Sequence, residues 1–205
     1  ALPKLKDKIR LWECHGGSGK YMAPDATNTT SEKMLYSQST SSNIVEEGGL
    51  YTNSSKQLQI FHTRADGGID FPAANGTVGE FTIMVKVRLE QFTNKAIYGS
   101  TSNNMLRIND TTSLRLKLGG AGSADFTIPS ALNSNQPYII TAQRNTDGAL
   151  KVFIDGGAFS DQQLTGTFTD ADAFLVDYLG GVPSQGMAGW VFDFIVWHKD
   201  INAAQ

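Results

Sequence analysis

Apolar and polar residues alternate with a period of two in several stretches after residue 80. In "FTIMVKVRL" (81–89), every odd position is apolar, whereas Thr82, Met84, Lys86 and Arg88 take the even positions. Successive side chains of a strand point to opposite faces of a sheet, whereas a helix would spread these apolar residues around its circumference. The pattern therefore predicts a strand with one buried face.

The same alternation predicts further strands along the chain. "SLRLKL" (113–118) places three leucines on one face and two cations on the other. "YIITAQR" (138–144) and "ALKVFIDG" (149–156) flank an Asp147-Gly148 pair, which supplies the positive φ that a tight hairpin turn needs. The remaining predicted strands are at 56–62, 96–100, 104–109, 125–128, 173–179 and 189–198.

The last predicted strand, "GWVFDFIVWH" (189–198), carries bulk at almost every position. A membrane span needs roughly 20 apolar residues, and this run is shorter and contains Asp193, so no membrane insertion is expected. We predict a central strand that is covered on both sides. Simple alternation puts Phe192, Phe194 and Val196 on one face of this strand. It puts Val191, Ile195 and Trp197 on the other face, together with Asp193.

The spacing of these strands predicts an all-β fold. Strands recur every eight to fifteen residues with no amphipathic helix between them, which favours an antiparallel two-sheet sandwich. Residues 26–43 are polar, so we interpret 1–55 as an extended N-terminal arm and loop and 56–205 as the core of a single domain. Asp200 is placed to cap a short helical turn at the C-terminus.

Composition narrows the function classes. The 205 residues carry a net charge of −3, and Lys and Arg are scattered, so no nucleic acid is expected as a partner. Cys14 is the only cysteine, so an intramolecular disulfide is excluded. No secretory signal is recognisable, and the sequence does not decide the compartment. The functional hypotheses below give an extracellular surface or a virion as the expected location.

Three segments occur in an order that is similar to a known superfamily. They are "GEFTIMVKVRL", "QPYIITAQRNTDGALKVFIDG" and "GMAGWVFDFIVWHKDI". This succession resembles the laminin-G-like and concanavalin A-like jelly rolls, and the resemblance covers residues 56–202. It implies a jelly-roll sandwich and a recognition or structural role.

The resemblance also indicates what catalysis would require. Enzymes of this superfamily cleave glycans with two carboxylates on one strand, in the order E-x-D-x-x-E, because a nucleophile and a general acid must lie roughly 5 Å apart. The chain has no such motif, so we expect no catalytic residues and no enzyme. A glycan hydrolase stays the less favoured option, and it would require Asp170 with Asp172, or Asp155 with Asp193, to meet across a cleft.

Calcium is the one cofactor that the resemblance leaves open. Jelly rolls of this kind often hold one Ca²⁺ through loop oxygens of Asp and Asn, which suit a hard cation. The segments "STSNN" (100–104), "NDTT" (109–112) and "NTDG" (145–148) offer such oxygens. Each is also an ordinary turn sequence, so the expected cofactor set is none, with Ca²⁺ as an alternative.

The candidate ligand-binding residues follow from the chemistry of sugar recognition. A sugar site needs an aromatic platform beside amide and carboxylate groups, and the candidates are Tyr98, Asn103, Asn104 and Asp110. The favoured function is a non-catalytic module that binds surface glycans. The alternative is a virion structural protein, such as a phage capsid decoration or fibre-head protein, which would dock on a capsid surface or form a homo-oligomer such as a trimer.

Overall fold

Antiparallel strands make up the whole described structure. The computed structural model describes residues 12–13, 21–24, 35–37, 49–52, 58–61, 69–74, 77–119, 122–158, 162–163, 173–183 and 185–198. In these ranges the chain contains no α-helix, and every strand pair is antiparallel. The predicted all-β class is confirmed.

The strands, in chain order, are β1 (Trp12–Glu13), β2 (Tyr21–Pro24), β3 (Leu35–Ser37), β4 (Gly49–Thr52), β5 (Leu58–Phe61), β6 (Ile69–Phe71), β7 (Ala73–Ala74), β8 (Thr77–Val78), β9 (Phe81–Leu89), β10 (Lys95–Thr101), β11 (Asn104–Asp110), β12 (Ser113–Leu118), β13 (Ser123–Thr127), β14 (Pro137–Arg144), β15 (Ala149–Ile154), β16 (Gly157–Ala158), β17 (Gln162–Gln163), β18 (Phe174–Val176), β19 (Tyr178–Leu179), β20 (Gly181–Val182), β21 (Gln185–Gly186) and β22 (Gly189–Trp197).

Two large sheets form a sandwich of jelly-roll type. Sheet A has the order β16-β15-β14-β9-β22-β4-β3, with β17 also paired to β15, and sheet B has the order β1-β2-β5-β19-β10-β11-β12-β13. Three two-stranded pairs, β6 with β18, β7 with β8 and β20 with β21, complete the described strands.

The core lies between the two sheets and is lined by the alternating positions. The five odd residues of β9 are fully buried, as are the three leucines of β12, and both sets belong to one apolar cluster. Burying such side chains stabilises the fold by about 1.5 to 3 kcal/mol each. The predicted inner faces of these two strands are confirmed.

The β14–β15 hairpin also has the predicted turn. Gly148 has a φ of 82°. The Asn145 side-chain oxygen accepts hydrogen bonds from the backbone N–H groups of Asp147 (3.0 Å) and Ala149 (2.8 Å). An asparagine that caps its own turn in this way holds the positive-φ glycine in place.

The predicted faces of β22 are wrong at its start, because the strand contains a β-bulge. Val191 pairs with Val87 and Asp193 pairs with Lys86, so Phe192 is an extra residue between the two pairs. An extra residue shifts the alternation by one position. Val191 therefore lies on the inner face, whereas Phe192 lies outside, where the Lys86 ammonium is 5.8 Å from its ring centre.

Coverage of β22 on both sides holds only for its first half. β22 is central in sheet A, between β9 and β4. On the outer face of its second half, Asp193 is exposed, Ile195 is 40% exposed and Trp197 is 37% exposed. The prediction of full cover is wrong for this half.

Four short strands are described within residues 1–55, and the predicted strand at 173–179 is divided in two. Within the predicted arm, β1 and β2 belong to sheet B, and β3 and β4 belong to sheet A. Residues 173–179 form two strands with different partners, since β18 pairs with β6 and β19 pairs with β5 and β10. The predicted helical turn after Asp200 lies outside the described residues.

The outer face of sheet B is covered over part of β10 and β11. The β20–β21 hairpin packs there through Val182, which contacts Ala96 and Met105. This cover leaves the outer side chains of β12 and β13 partly or fully exposed.

Candidate functional site

An open cleft lies where the loop after β9 meets the turn after β11. Its volume is about 590 Å³, which is within the size range of small-ligand sites. The lining residues come from residues 90–95 and from the end of β11: Glu90, Gln91, Phe92, Thr93, Lys95, Asp110 and Thr111.

The loop that forms one wall is fixed by backbone hydrogen bonds at both ends. The Glu90 N–H donates to the Ala188 carbonyl at 2.9 Å, and the Asn94 N–H donates to the Asn109 carbonyl at 3.1 Å. Asn94 has a φ of 52°, a left-handed conformation that asparagine tolerates better than most residues. The loop thus turns sharply and returns directly into β10.

The opposite wall is the turn between β11 and β12. The Asp110 Oδ1 atom accepts hydrogen bonds from the Thr112 N–H (2.7 Å) and the Thr112 hydroxyl (2.9 Å). The Thr111 carbonyl accepts from the Leu132 N–H at 2.8 Å. Both bonds to the carboxylate use one oxygen, so Oδ2 has no donor among the described residues.

The lining combines one aromatic ring with groups of both charges. Phe92 is partly buried and packs against the main core cluster, which orients its ring from behind. Around it lie two carboxylates, Glu90 and Asp110, with the Lys95 ammonium and the Gln91 amide. This set can stack on an apolar ligand face and exchange hydrogen bonds with hydroxyl groups.

Behind Glu90, a cation is buried against an aromatic ring. The Arg88 guanidinium carbon lies 3.9 Å from the centre of the Trp190 ring, and Arg88 is only 6% exposed. Burial lowers the pKa of Arg88, and the negative charge of Glu90 opposes that shift. The Glu90 carboxylate therefore has a fixed positive charge behind it.

Of the four predicted ligand-binding residues, only Asp110 lines the cleft. Tyr98 is fully buried in the core, with its ring 5.8 Å from Phe194 and 6.4 Å from Phe174 between centres. Burial raises the pKa of the Tyr98 hydroxyl. The Tyr98 ring is therefore part of the hydrophobic core and is not accessible to a ligand at the surface.

The two asparagines lie at the other end of β11. Asn104 is buried; its side-chain nitrogen donates to the Ala173 carbonyl and its oxygen accepts from the Leu175 N–H, both at 3.1 Å. Asn103 is exposed. Asn104 and Asp110 lie at opposite ends of the seven-residue strand β11, about 20 Å apart, so the structure does not bring the four residues together.

Sequence reasoning missed Phe92, Gln91 and Lys95. The signal was present, because "EQFTN" (90–94) is a polar loop between two predicted strands that contains one aromatic residue. An aromatic side chain in a loop between strands is less often fully buried than one inside a strand, so it is more often accessible to a ligand.

Each of the three segments predicted to offer calcium ligands forms a turn that is held by its own hydrogen bonds. Asp110 bonds Thr112, Asn145 bonds its own turn, and the Asn103 N–H donates to the Thr101 hydroxyl at 3.2 Å. Within the described ranges, no three His, Cys, Asp or Glu side chains gather as a metal site would require. Calcium binding stays a prediction.

One of the two carboxylate pairs named for hydrolysis can be located. Asp193 pairs with Lys86, Lys86 with Ile139, and Ile139 is bonded to Asp155. Three strand spacings therefore separate Asp155 from Asp193, about 14 Å, which exceeds the separations that glycosidases use. Asp170 and Asp172 lie outside the described residues.

A search for membrane-spanning helices in the described part of the chain found none of sufficient length and hydrophobicity.

Comparisons with known proteins support the fold. No protein-family model and no curated protein sequence matches the chain. Among solved structures, domain 4 of AbnA, a GH43 extracellular arabinanase from Geobacillus stearothermophilus solved with arabinotriose, is similar with a TM-score of 0.61 and 14% identity, over 93% of this chain and 87% of that one.

Two toxin binding domains are similar as well. That of botulinum neurotoxin serotype G has a TM-score of 0.60 and 14% identity over 93% of this chain. That of Paraclostridial Mosquitocidal Protein 1 has a TM-score of 0.60 and 13% identity over 98% of this chain. The chain spans about half the length of these domains, 46% and 48%. At such identities the likeness shows a shared β-sandwich fold.

Proposed function

We propose that the protein is a non-catalytic module that binds a glycan at an extracellular surface, through the cleft between residues 90–95 and the β11–β12 turn. The observation that carries this proposal is the lining of the cleft. It combines the Phe92 ring with Asp110, Glu90, Gln91 and Lys95 in a volume of about 590 Å³.

The chemistry of these groups fits a sugar better than an apolar ligand. A sugar ring has an apolar face that stacks on an aromatic ring, and its hydroxyl groups need both donors and acceptors at the edge. Carboxylates accept, an ammonium donates, and an amide does both. The arabinanase domain, solved with arabinotriose, supports the proposal because the same fold holds an oligosaccharide there.

The test is a glycan array followed by calorimetric titration of the best ligand. We expect Asp110→Asn to weaken binding about tenfold, because it removes a charged acceptor worth roughly 1.5 to 3 kcal/mol. The asparagine oxygen still accepts the two Thr112 bonds, so the turn is kept. Phe92→Leu keeps an apolar side chain against the core but removes the stacking face, and a similar loss is expected.

Asp193→Asn is the matched control, because it makes the same chemical change at an exposed position on the outer face of sheet A. It should bind as the parent protein does. An array without any ligand, with and without Ca²⁺, would overturn the proposed function. Binding that both cleft variants retain in full would overturn the proposed site.

The virion role has no counterpart among the relatives described above and stays a prediction, as does the expected trimer. Mass measurement in solution separates the two functions, because a decoration protein assembles or docks on a shell.

A further inference from the structure

A cluster of cations occupies the outer face of sheet B, beside the cleft. Arg107 of β11 pairs with Arg115 of β12, which pairs in turn with Asp125 of β13. Lys117 lies two residues further along β12 and therefore on the same face. We refer to Arg107, Arg115, Lys117 and Asp125 as the outer cluster.

The single carboxylate of the outer cluster is already saturated. The Arg115 Nε atom donates to Asp125 Oδ1 at 2.6 Å, and its Nη2 atom donates to Oδ2 at 2.5 Å. The Asn109 amide adds a bond to Oδ1 at 3.4 Å. Arg115 and Asp125 therefore neutralise each other in a bidentate pair.

Among the described residues, neither of the other two cations donates a hydrogen bond to a carboxylate. Arg107 donates through Nε to the Asn109 side-chain oxygen at 2.8 Å, which leaves both of its terminal nitrogens without acceptors in the described part of the chain. Lys117 donates one hydrogen bond, to the Ser102 carbonyl at 2.9 Å. Two positive charges thus lie on the same face, and the hydrogen-bond acceptors that they use among the described residues are neutral.

The charges repel each other where they stand. Partial burial, and then the charge of Arg115, lowers the pKa of Arg107, whereas Asp125 raises it. Burial also lowers the pKa of Lys117, with further lowering from Arg107 and Arg115. A strand framework that holds like charges together is stabilised when an anion binds between them.

The outer cluster and the cleft share strand β11. Arg107 and Asp110 are three residues apart on β11, or about 10 Å. A ligand of two or three sugar units that starts in the cleft can therefore reach the Arg107 guanidinium.

We propose that the outer cluster binds a sulfate or carboxylate group carried by an acidic glycan, with Arg107 and Lys117 as the contacting residues. This inference rests on the proposed function, because it names the charge of the sugar that the module takes. It assigns the anion to sheet B, whereas the cleft takes the uncharged part of the ligand.

The experiment measures the affinity for a heparin fragment, for inorganic sulfate and for an uncharged dextran of similar length by calorimetry. Arg107→Gln and Lys117→Gln should each weaken binding of the heparin fragment about tenfold, since each removes a charge-assisted hydrogen bond. Binding should also weaken as salt rises from about 50 to about 200 mM, because salt screens exposed charges. The matched control is Lys151→Gln on β15 of sheet A, which should change nothing.

Asp125→Asn gives the opposite prediction. It removes the only carboxylate of the outer cluster and releases Arg115, so the heparin fragment should bind more tightly, by about threefold or more. A purely structural cluster would not produce a gain. Unchanged heparin affinity in Arg107→Gln, Lys117→Gln and Asp125→Asn would overturn the inference.

The arms of the experiment also separate the two proposals. Loss in the cleft variants with no effect of the cation variants overturns the outer cluster and leaves the proposed function standing. Binding of the best array ligand that Asp110→Asn and Phe92→Leu do not weaken overturns the cleft as the sugar site, whereas charge-dependent binding of heparin in the same variants supports the outer cluster. Equal affinities for inorganic sulfate and for the heparin fragment would overturn the assignment of the outer cluster to a glycan.

Discussion

The two sheets of the sandwich have similar inner faces and different outer faces. Inside, both sheets contribute aliphatic and aromatic side chains to one cluster. Outside, sheet A carries a set of apolar side chains on β9, β14 and β22, together with the charged Lys86 and Asp193, and sheet B carries a charged set on β11, β12 and β13. The residues are Met84, Ile139, Ile195 and Trp197 on sheet A and Arg107, Arg115, Lys117 and Asp125 on sheet B.

The difference shows that the inner and outer faces of an alternating strand have different roles. Inner positions must supply apolar volume, because burial is the main source of stability. Outer positions carry no such requirement, so they can be given to ligands. The exposed apolar side chains of sheet A and the unneutralised cations of sheet B mark two surfaces with different chemistry.

The largest effect is expected where the inner face of sheet A breaks the pattern, at Arg144. This side chain is fully buried, donates to the carbonyls of Gly79 (2.9 Å) and Phe71 (3.1 Å), and lies 5.1 Å from the Phe81 ring centre. Arg144→Met should lower the free energy of unfolding by about 4 kcal/mol, because one buried and one partly buried carbonyl lose charged donors. Urea denaturation measures it, with Lys151→Met as control; a loss below about 1 kcal/mol would contradict the assigned role.

The second prediction compares neighbours on β12. Leu116→Ala should lower the free energy of unfolding by about 3 kcal/mol, since Leu116 is fully buried and its truncation leaves a cavity. Lys117→Ala, one residue away on the outer face, should change it by less than about 0.5 kcal/mol. Similar losses in the two variants would mean that β12 does not separate an inner from an outer face.

The third prediction applies one substitution to both faces of sheet A. Ile195 is 40% exposed and Ile140 is fully buried. Ile140→Thr should lower the free energy of unfolding by about 2 kcal/mol, because it puts a hydroxyl in place of a buried ethyl group. Ile195→Thr should cost about 0.5 kcal/mol or less and should reduce fluorescence of a hydrophobic dye bound to the folded protein. Unchanged dye fluorescence would argue against an exposed apolar face.

The smallest effect is expected at Asp125. The hydrogen bonds from Arg115 lower the pKa of the Asp125 carboxyl in the folded protein. Its contribution to stability is therefore complete above the unfolded pKa of about 4 and is lost as the pH falls through the lower folded value. Asp125→Asn should reduce stability by less than about 1 kcal/mol at pH 7, because the pair is exposed. Thermal unfolding should show the difference disappearing below about pH 4; a difference that grows on acidification would contradict this pairing.

The sequence predicts the sheets better than it predicts their surfaces. Alternation in β9 and β12 identifies the inner faces because a period of two has a direct geometric meaning. The bulge at Phe192 has no such signal, since apolar residues fill both faces of β22 and either register satisfies the pattern. The same richness in apolar residues hides the exposure of Ile195 and Trp197.

The candidate site was predictable in part. Asp110 was found because it ends a strand in a polar turn. The need for an aromatic platform beside amide and carboxylate groups predicts Tyr98, but five consecutive residues of β10, from Ala96 to Ser100, are buried, so this strand does not alternate. The polar loop after β9 marks Phe92 as a candidate, but its position beside Asp110 follows only from the structure, where this loop meets the β11–β12 turn.

The most direct test of the central claim is an NMR titration of the isotopically labelled protein with the best ligand of the glycan array. The account predicts that amide signals shift most at residues 90–95 and 110–112, with smaller shifts along β11 towards Arg107. Shifts concentrated on the outer face of sheet A, around Trp197, with the cleft unaffected, would contradict it.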